Sequence, residues 1–119
     1  MTPVVSIVGL SGSGKTTLIA GLIAEIKRRG YRVASIKHAE KMDFEPGKDS
    51  ERHLAAGSEA TVIATPSRLV LVKPAAAETG LDEISCLLGE EYDIILTEGF
   101  KHEDAPKIVL RRASFELPL

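Results

Sequence analysis

Gly9-Leu10-Ser11-Gly12-Ser13-Gly14-Lys15-Thr16 satisfies the pattern GxxxxGK[ST], a loop suited to holding phosphate. Glycines at 9, 12 and 14 let the backbone enter conformations closed to other residues and turn amide N–H groups, including those of Ser11 and Ser13, toward phosphate oxygens. Lys15 is the point charge expected at the β- and γ-phosphates, and the Thr16 hydroxyl the expected Mg²⁺ ligand. Thr17 adds a hydroxyl within reach of an α-phosphate. The bland alternative is a glycine-rich turn that merely happens to carry Lys-Thr. Its position between an apolar β-branched run and an amphipathic helical stretch argues for the phosphate loop.

Such a loop needs an acidic partner at the end of a neighbouring buried strand, to serve Mg²⁺ or orient a water. Glu98, placed just past Ile94-Ile95-Leu96-Thr97 and followed by Gly99, is the best candidate; a solvated loop carboxylate is the weaker reading. Asp93 opens the same run at the far end and reads as a strand-entry residue. Lys37 and His38 close a second strand on the same edge and reach either phosphate or a second substrate, or are structural. In the loop after them, Asp43 fits a water-mediated Mg²⁺ contact, while Asp49 divides evenly between ligand contact and helix cap. Lys101 reaches either the ligand or solvent. His53 and His102 are weaker candidates, and Cys86 reads as a small core residue.

The elements that must position these groups follow from periodicity. Val4, Val5, Ile7 and Val8 predict a strand buried on both faces, and Leu18, Ile19, Leu22, Ile23 and Ile26 predict a helix from about Lys15 to Arg29, stopped by Gly30. Residues 32–37 read as a strand, 38–48 as a long loop, and about 49–56 as a short helix capped by Asp49 or Ser50. Strands follow at 60–65 and 69–72, a helix carries Leu81, Ile84, Leu87 and Leu88, and further strands lie at 92–97 and 107–111. The alternation predicts an α/β fold: a three-layer P-loop NTPase domain with a mostly parallel sheet, one domain over residues 1–119. Three helices for five or six strands leave part of the sheet without cover. Either a partner subunit supplies it, or the chain is truncated at its C-terminus.

The 119 residues, 44% apolar, suffice for one packed core. A net charge of −2 gives no global bias toward nucleic acid or anionic membrane, so neither is an expected partner. No run approaches the roughly 20 apolar residues of a membrane span. The lone cysteine excludes an internal disulfide, and a cytoplasmic location is expected.

The stretches GLSGSGKTTL at 9–18, RGYRVASIKHAEKMDFEPGKDSERHLAAGSEA at 29–60 and DIILTEGFKHEDAPKIVLRR at 93–112 together resemble the molybdopterin-guanine dinucleotide biosynthesis protein B (MobB) family. The P-loop is shared with many NTPases. Lys37-His38, the run 47–50 and the run 98–101 are more specific. The resemblance implies a cytoplasmic homodimeric adaptor that binds GTP with Mg²⁺, hydrolyses it slowly at most, and assists the molybdenum cofactor guanylyltransferase. Molybdopterin itself stays open as a ligand. Carried over, Gly9, Gly12, Gly14, Lys15, Thr16 and Thr17 hold phosphates and Mg²⁺, Glu98 serves metal or water, and 43–49 form a responsive loop. Family members usually continue with further sheet and helix beyond the stretch matching 107–112. The chain contains no asparagine, so the [NT]KxD guanine signature is absent and guanine preference rests on the resemblance.

An ATP-dependent small-molecule kinase is the competing reading. It requires an acceptor pocket and usually an Arg-bearing lid that excludes water. No such lid is evident in the sequence. A catalytically silent nucleotide-binding fragment is the third reading.

Overall fold

A computed structural model of the chain describes residues 2–10, 12–39, 47–75, 77–100 and 104–110. Its elements run β1 (Val4–Val8), α1 (Lys15–Arg28), β2 (Val33–Lys37), α2 (Lys48–Ala55), β3 (Thr61–Ala64), β4 (Leu69–Val72), α3 (Leu81–Leu88), β5 (Ile94–Glu98) and β6 (Lys107–Val109). They fall into two compact units, one of Met1–Ala39 with Gly80–Leu119 and one of Glu40–Thr79.

The first unit carries a four-stranded, all-parallel sheet in the order β2-β5-β1-β6. Period-two alternation divides its two central strands between two faces. On one face, Val5, Ile7, Ile94 and Leu96 pack with Leu18, Ile19, Leu22, Ile23 and Ile26 of α1. Ile7, Ile19 and Leu96 are almost wholly removed from water, each worth about 1.5–3 kcal/mol on burial. On the other face lie Ser6, Ile95 and Thr97, all fully buried. The Thr97 hydroxyl donates to the Ser6 hydroxyl at 2.8 Å, satisfying a polar pair inside the sheet. Helix α3 flanks the start of β1, where Asp82, Ser85 and Cys86 border a cavity of about 320 Å³ together with Thr2 and Val4. Cys86 is exposed, not the core residue its helical position suggested.

Helix α1 ends as its sequence predicts. Gly30 takes φ 89, and the Gly30 and Tyr31 amides return to the carbonyls of Lys27 and Ile26, closing the helix with a left-handed glycine turn. Asp93 is a strand-entry residue, as expected: its carboxylate accepts from the Arg32 amide at 2.7 Å and its own amide donates to the Arg32 carbonyl at 2.8 Å. These bonds join the entrances of β2 and β5.

In the second unit β3 and β4 form an antiparallel hairpin, with Thr61 opposite Val72 and Ala64 opposite Leu69. Thr65 makes the turn, its hydroxyl accepting from the Arg68 amide at 2.9 Å. Helix α2 packs against β3. Its start corrects the sequence expectation: Gly47 holds the N-cap position with no side-chain cap, while Asp49 and Ser50 lie inside the first turn. A glycine at φ 110 lets the helix begin earlier than a side-chain cap would dictate, and the Asp49 charge then sits near the positive helix end.

Candidate functional site

The carboxyl ends of β1, β2 and β5 converge in the first unit. Parallel register aligns Ile7 with Glu98 and Lys37 with Glu98, so the three residues stand at one level across three strands. Glu98 is the last residue of β5, not the first beyond it. It continues the stripe Ile94, Leu96 that faces α1, and the first turn of α1 stands over that stripe. Thr16 lies in that turn. Its hydroxyl donates to a Glu98 carboxylate oxygen at 2.7 Å, and the Lys37 ammonium lies 3.9 Å from the other oxygen. The Glu98 side chain is 15% exposed and that of Lys37 51%, so the Lys37 contact at this distance is a weak, screened pair.

Of the three glycines expected to take conformations closed to other residues, those at 12 and 14 do so, while Gly9 is not among the residues with positive φ. Gly12 and Gly14 take φ 81 and 96, values that ordinary side chains resist, and Gly14 leads directly into α1. The Ser13 amide donates to the Leu10 carbonyl at 3.0 Å. The Lys15 ammonium arches back to the Gly9 carbonyl at 2.8 Å, which holds the charge over the loop. The Ser13 hydroxyl is buried and makes no hydrogen bond among the described residues. Thr17 is exposed on α1.

This arrangement suits an anion with a divalent cation. The amides at the start of α1, the helix dipole and the Lys15 ammonium favour negative charge. The Ser13 hydroxyl, without a hydrogen-bond partner among the described residues, is a further donor for it. Thr16 and Glu98 offer two neighbouring hard oxygen donors of the kind Mg²⁺ takes while keeping its waters and phosphate ligands.

The structure thus brings Gly9, Gly12, Ser13, Gly14, Lys15, Thr16, Lys37 and Glu98 to one end of one sheet. His38 follows directly after β2. Asp49 and His53 belong to the second unit, both exposed on α2. Ser11, Asp43, Lys101 and His102 lie outside the described residues.

Two participants had no local signal. Leu110 follows β6 and borders the loop: a Cβ on Gly9 would lie 2.7 Å from the Leu110 carbonyl oxygen and 2.8 Å from the Ser13 hydroxyl oxygen. The first glycine of the motif is therefore required by a neighbouring chain segment, independently of any ligand. Phe100, read only as part of the run 98–101, is buried at φ 57, a left-handed conformation that costs an ordinary residue about 1–2 kcal/mol. Its ring stands 4.8 Å from the His38 imidazole, tilted by 36°.

Comparison with known proteins adds to this geometry. Residues 4–119 match the family described as molybdopterin guanine dinucleotide synthesis protein B, MobB. The molybdopterin-guanine dinucleotide biosynthesis adapter protein of Haemophilus influenzae is 40% identical over 121 residues, covering 98% of this chain and 67% of its own length. That of Escherichia coli is 41% identical over 117 residues, covering 94% and 67%. The crystal structure of the MobB homolog from Bacillus stearothermophilus superimposes with a TM-score of 0.68 at 32% identity, covering 92% of this chain and 64% of that one. The chain spans about two thirds of the length of these relatives.

Proposed function

The chain belongs to the MobB family, and on that premise we propose that it is an adaptor in molybdopterin-guanine dinucleotide biosynthesis that holds GTP with Mg²⁺ at the loop Gly9–Thr16. The observation that carries the nucleotide half of this reading is the 2.7 Å bond between Thr16 and Glu98, at the start of the helix that the glycine-rich loop opens. The amides from Gly12 to Thr16 would take the phosphates, Lys15 the β- and γ-phosphate charge, and Thr16 with Glu98 the metal. Bound Mg²⁺ would neutralise charge between the terminal phosphates and orient them. Lys37, at the edge of the same carboxylate, limits the negative charge that the phosphates meet.

The proposed partner is the guanylyltransferase that joins a guanine nucleotide to molybdopterin, with the chain acting as a homodimer and turning GTP over slowly at most. The relatives' description as adapter proteins supports this reading over the kinase alternative. Among the described residues no helix is long and apolar enough to cross a membrane.

Calorimetric titration with GTP and with ATP, each with Mg²⁺, tests the proposal. GTP is expected to bind more tightly, and clear preference for ATP would overturn the guanine assignment. Light scattering at micromolar concentration checks the dimer, which a clean monomer would remove.

A further inference from the structure

We infer that His38 and Phe100 form a clamp that holds the Glu98 carboxylate at the glycine-rich loop, which makes both of them positioning residues of the nucleotide site. The inference rests on the reading of Glu98 as the acidic group of a Mg²⁺–GTP site.

Phe100 is the one non-glycine with positive φ among the described residues. A bulky side chain in that region is a conformational outlier, and it persists only where its surroundings over-determine it. Those surroundings are identifiable. Phe100 is 7% exposed, and its ring-centroid separation of 4.8 Å from His38 lies within the range of favourable tilted aromatic pairs. Gly99 at φ 95 passes so near His38 that a Cβ there would lie 3.0 Å from the His38 Cβ. Two consecutive left-handed residues thus end β5 immediately after Glu98, both seated on His38.

The Glu98 backbone is held from both sides at the same level. The His38 amide donates to the Glu98 carbonyl at 2.9 Å, and the Gly99 amide donates to the Ile7 carbonyl at 3.0 Å. Glu98 is the terminal residue of β5, so Gly99 and Phe100 set how its backbone leaves the strand. The seated turn fixes that exit. His38 therefore acts through Phe100 and Gly99 on Glu98, whereas its neighbour Lys37 faces the carboxylate directly.

The test uses the full chain with Phe100→Leu, which keeps an apolar side chain, His38→Ala, which removes the seat, and His38→Phe, which keeps a ring. The first readout needs no ligand: hydrogen exchange at the His38 and Gly99 amides should rise about tenfold or more in Phe100→Leu and His38→Ala, while the Leu96 amide holds its rate and His38→Phe restores protection. The second is GTP affinity in Mg²⁺ relative to EDTA, where the metal-linked gain should fall about fivefold or more in the same two variants with the EDTA affinity unchanged. Unchanged exchange at both amides, or an intact metal-linked gain, overturns the clamp. Should the unmodified chain bind no GTP in either buffer, the nucleotide assignment falls instead, and the exchange result alone decides whether His38 and Phe100 hold the Glu98 turn.

Discussion

The Thr16 hydroxyl donates to the Glu98 carboxylate at 2.7 Å across 82 positions of sequence. The contact follows from alternation. Ile94, Leu96 and Glu98 share the face of β5 that α1 covers, so the apolar part of that stripe meets the middle of the helix and its polar end meets the first turn. A carboxylate is also favoured there by the positive end of the helix. The same packing that buries Leu96 sets the chemistry of Glu98.

Glu98→Gln keeps an acceptor for Thr16 and removes the charge. On the proposed function, GTP affinity measured in EDTA should be essentially unchanged, while any Mg²⁺-dependent hydrolysis should fall by about 10²-fold, the lower range for a positioned carboxylate. A single-turnover assay decides it; an undiminished rate takes Glu98 out of the hydrolytic step.

Lys15→Ala removes an ammonium whose described partner is the Gly9 carbonyl. Loss of a charge-assisted phosphate contact should weaken GTP binding by about 2–3 kcal/mol, roughly 30- to 150-fold, with little change in thermal stability. Equal affinity by calorimetry would show that the phosphates bind elsewhere.

Gly9→Ala should destabilise the chain by about 1–3 kcal/mol, because the new methyl meets the Leu110 carbonyl oxygen at 2.7 Å and backbone cannot step aside cheaply. Gly21→Ala provides the opposite case. Gly21 is exposed within α1 and a Cβ there meets nothing within 4 Å, so alanine should stabilise by about 0.5–1 kcal/mol. Urea denaturation of both variants checks the contrast, and a neutral Gly9→Ala would show that Leu110 does not confine the loop.

Ser6 and Thr97 form a fully buried hydroxyl pair. Ser6→Ala alone or Thr97→Val alone orphans a partner and should cost about 1–3 kcal/mol, whereas the double variant should cost less than the sum. Strict additivity in a double-mutant cycle would deny the pair any coupling.

Local sequence was enough to place the glycine-rich loop, α1 with its Gly30 stop, and the apolar strands. Each depends on the periodicity and conformational freedom of residues within a turn or two of one another. Local sequence also singled out Glu98, the carboxylate that Thr16 meets, since a carboxylate ending a buried run has few places to go. Other features depended on which distant segments lie side by side. The order β2-β5-β1-β6, which sets Lys37 and Ile7 on either side of Glu98, is one. The confinement of Gly9 by Leu110 and the left-handed Phe100 seated on His38 are others. The hairpin of β3 and β4 is antiparallel although every pairing in the larger sheet is parallel. Alternation tells a strand which face to bury but does not name the strand beside it, and a strained φ survives only when tertiary neighbours hold it. The loop was therefore legible from residues 9–16 alone, while the position of its acidic partner and the segments that hold it were decided by the packing of the sheet.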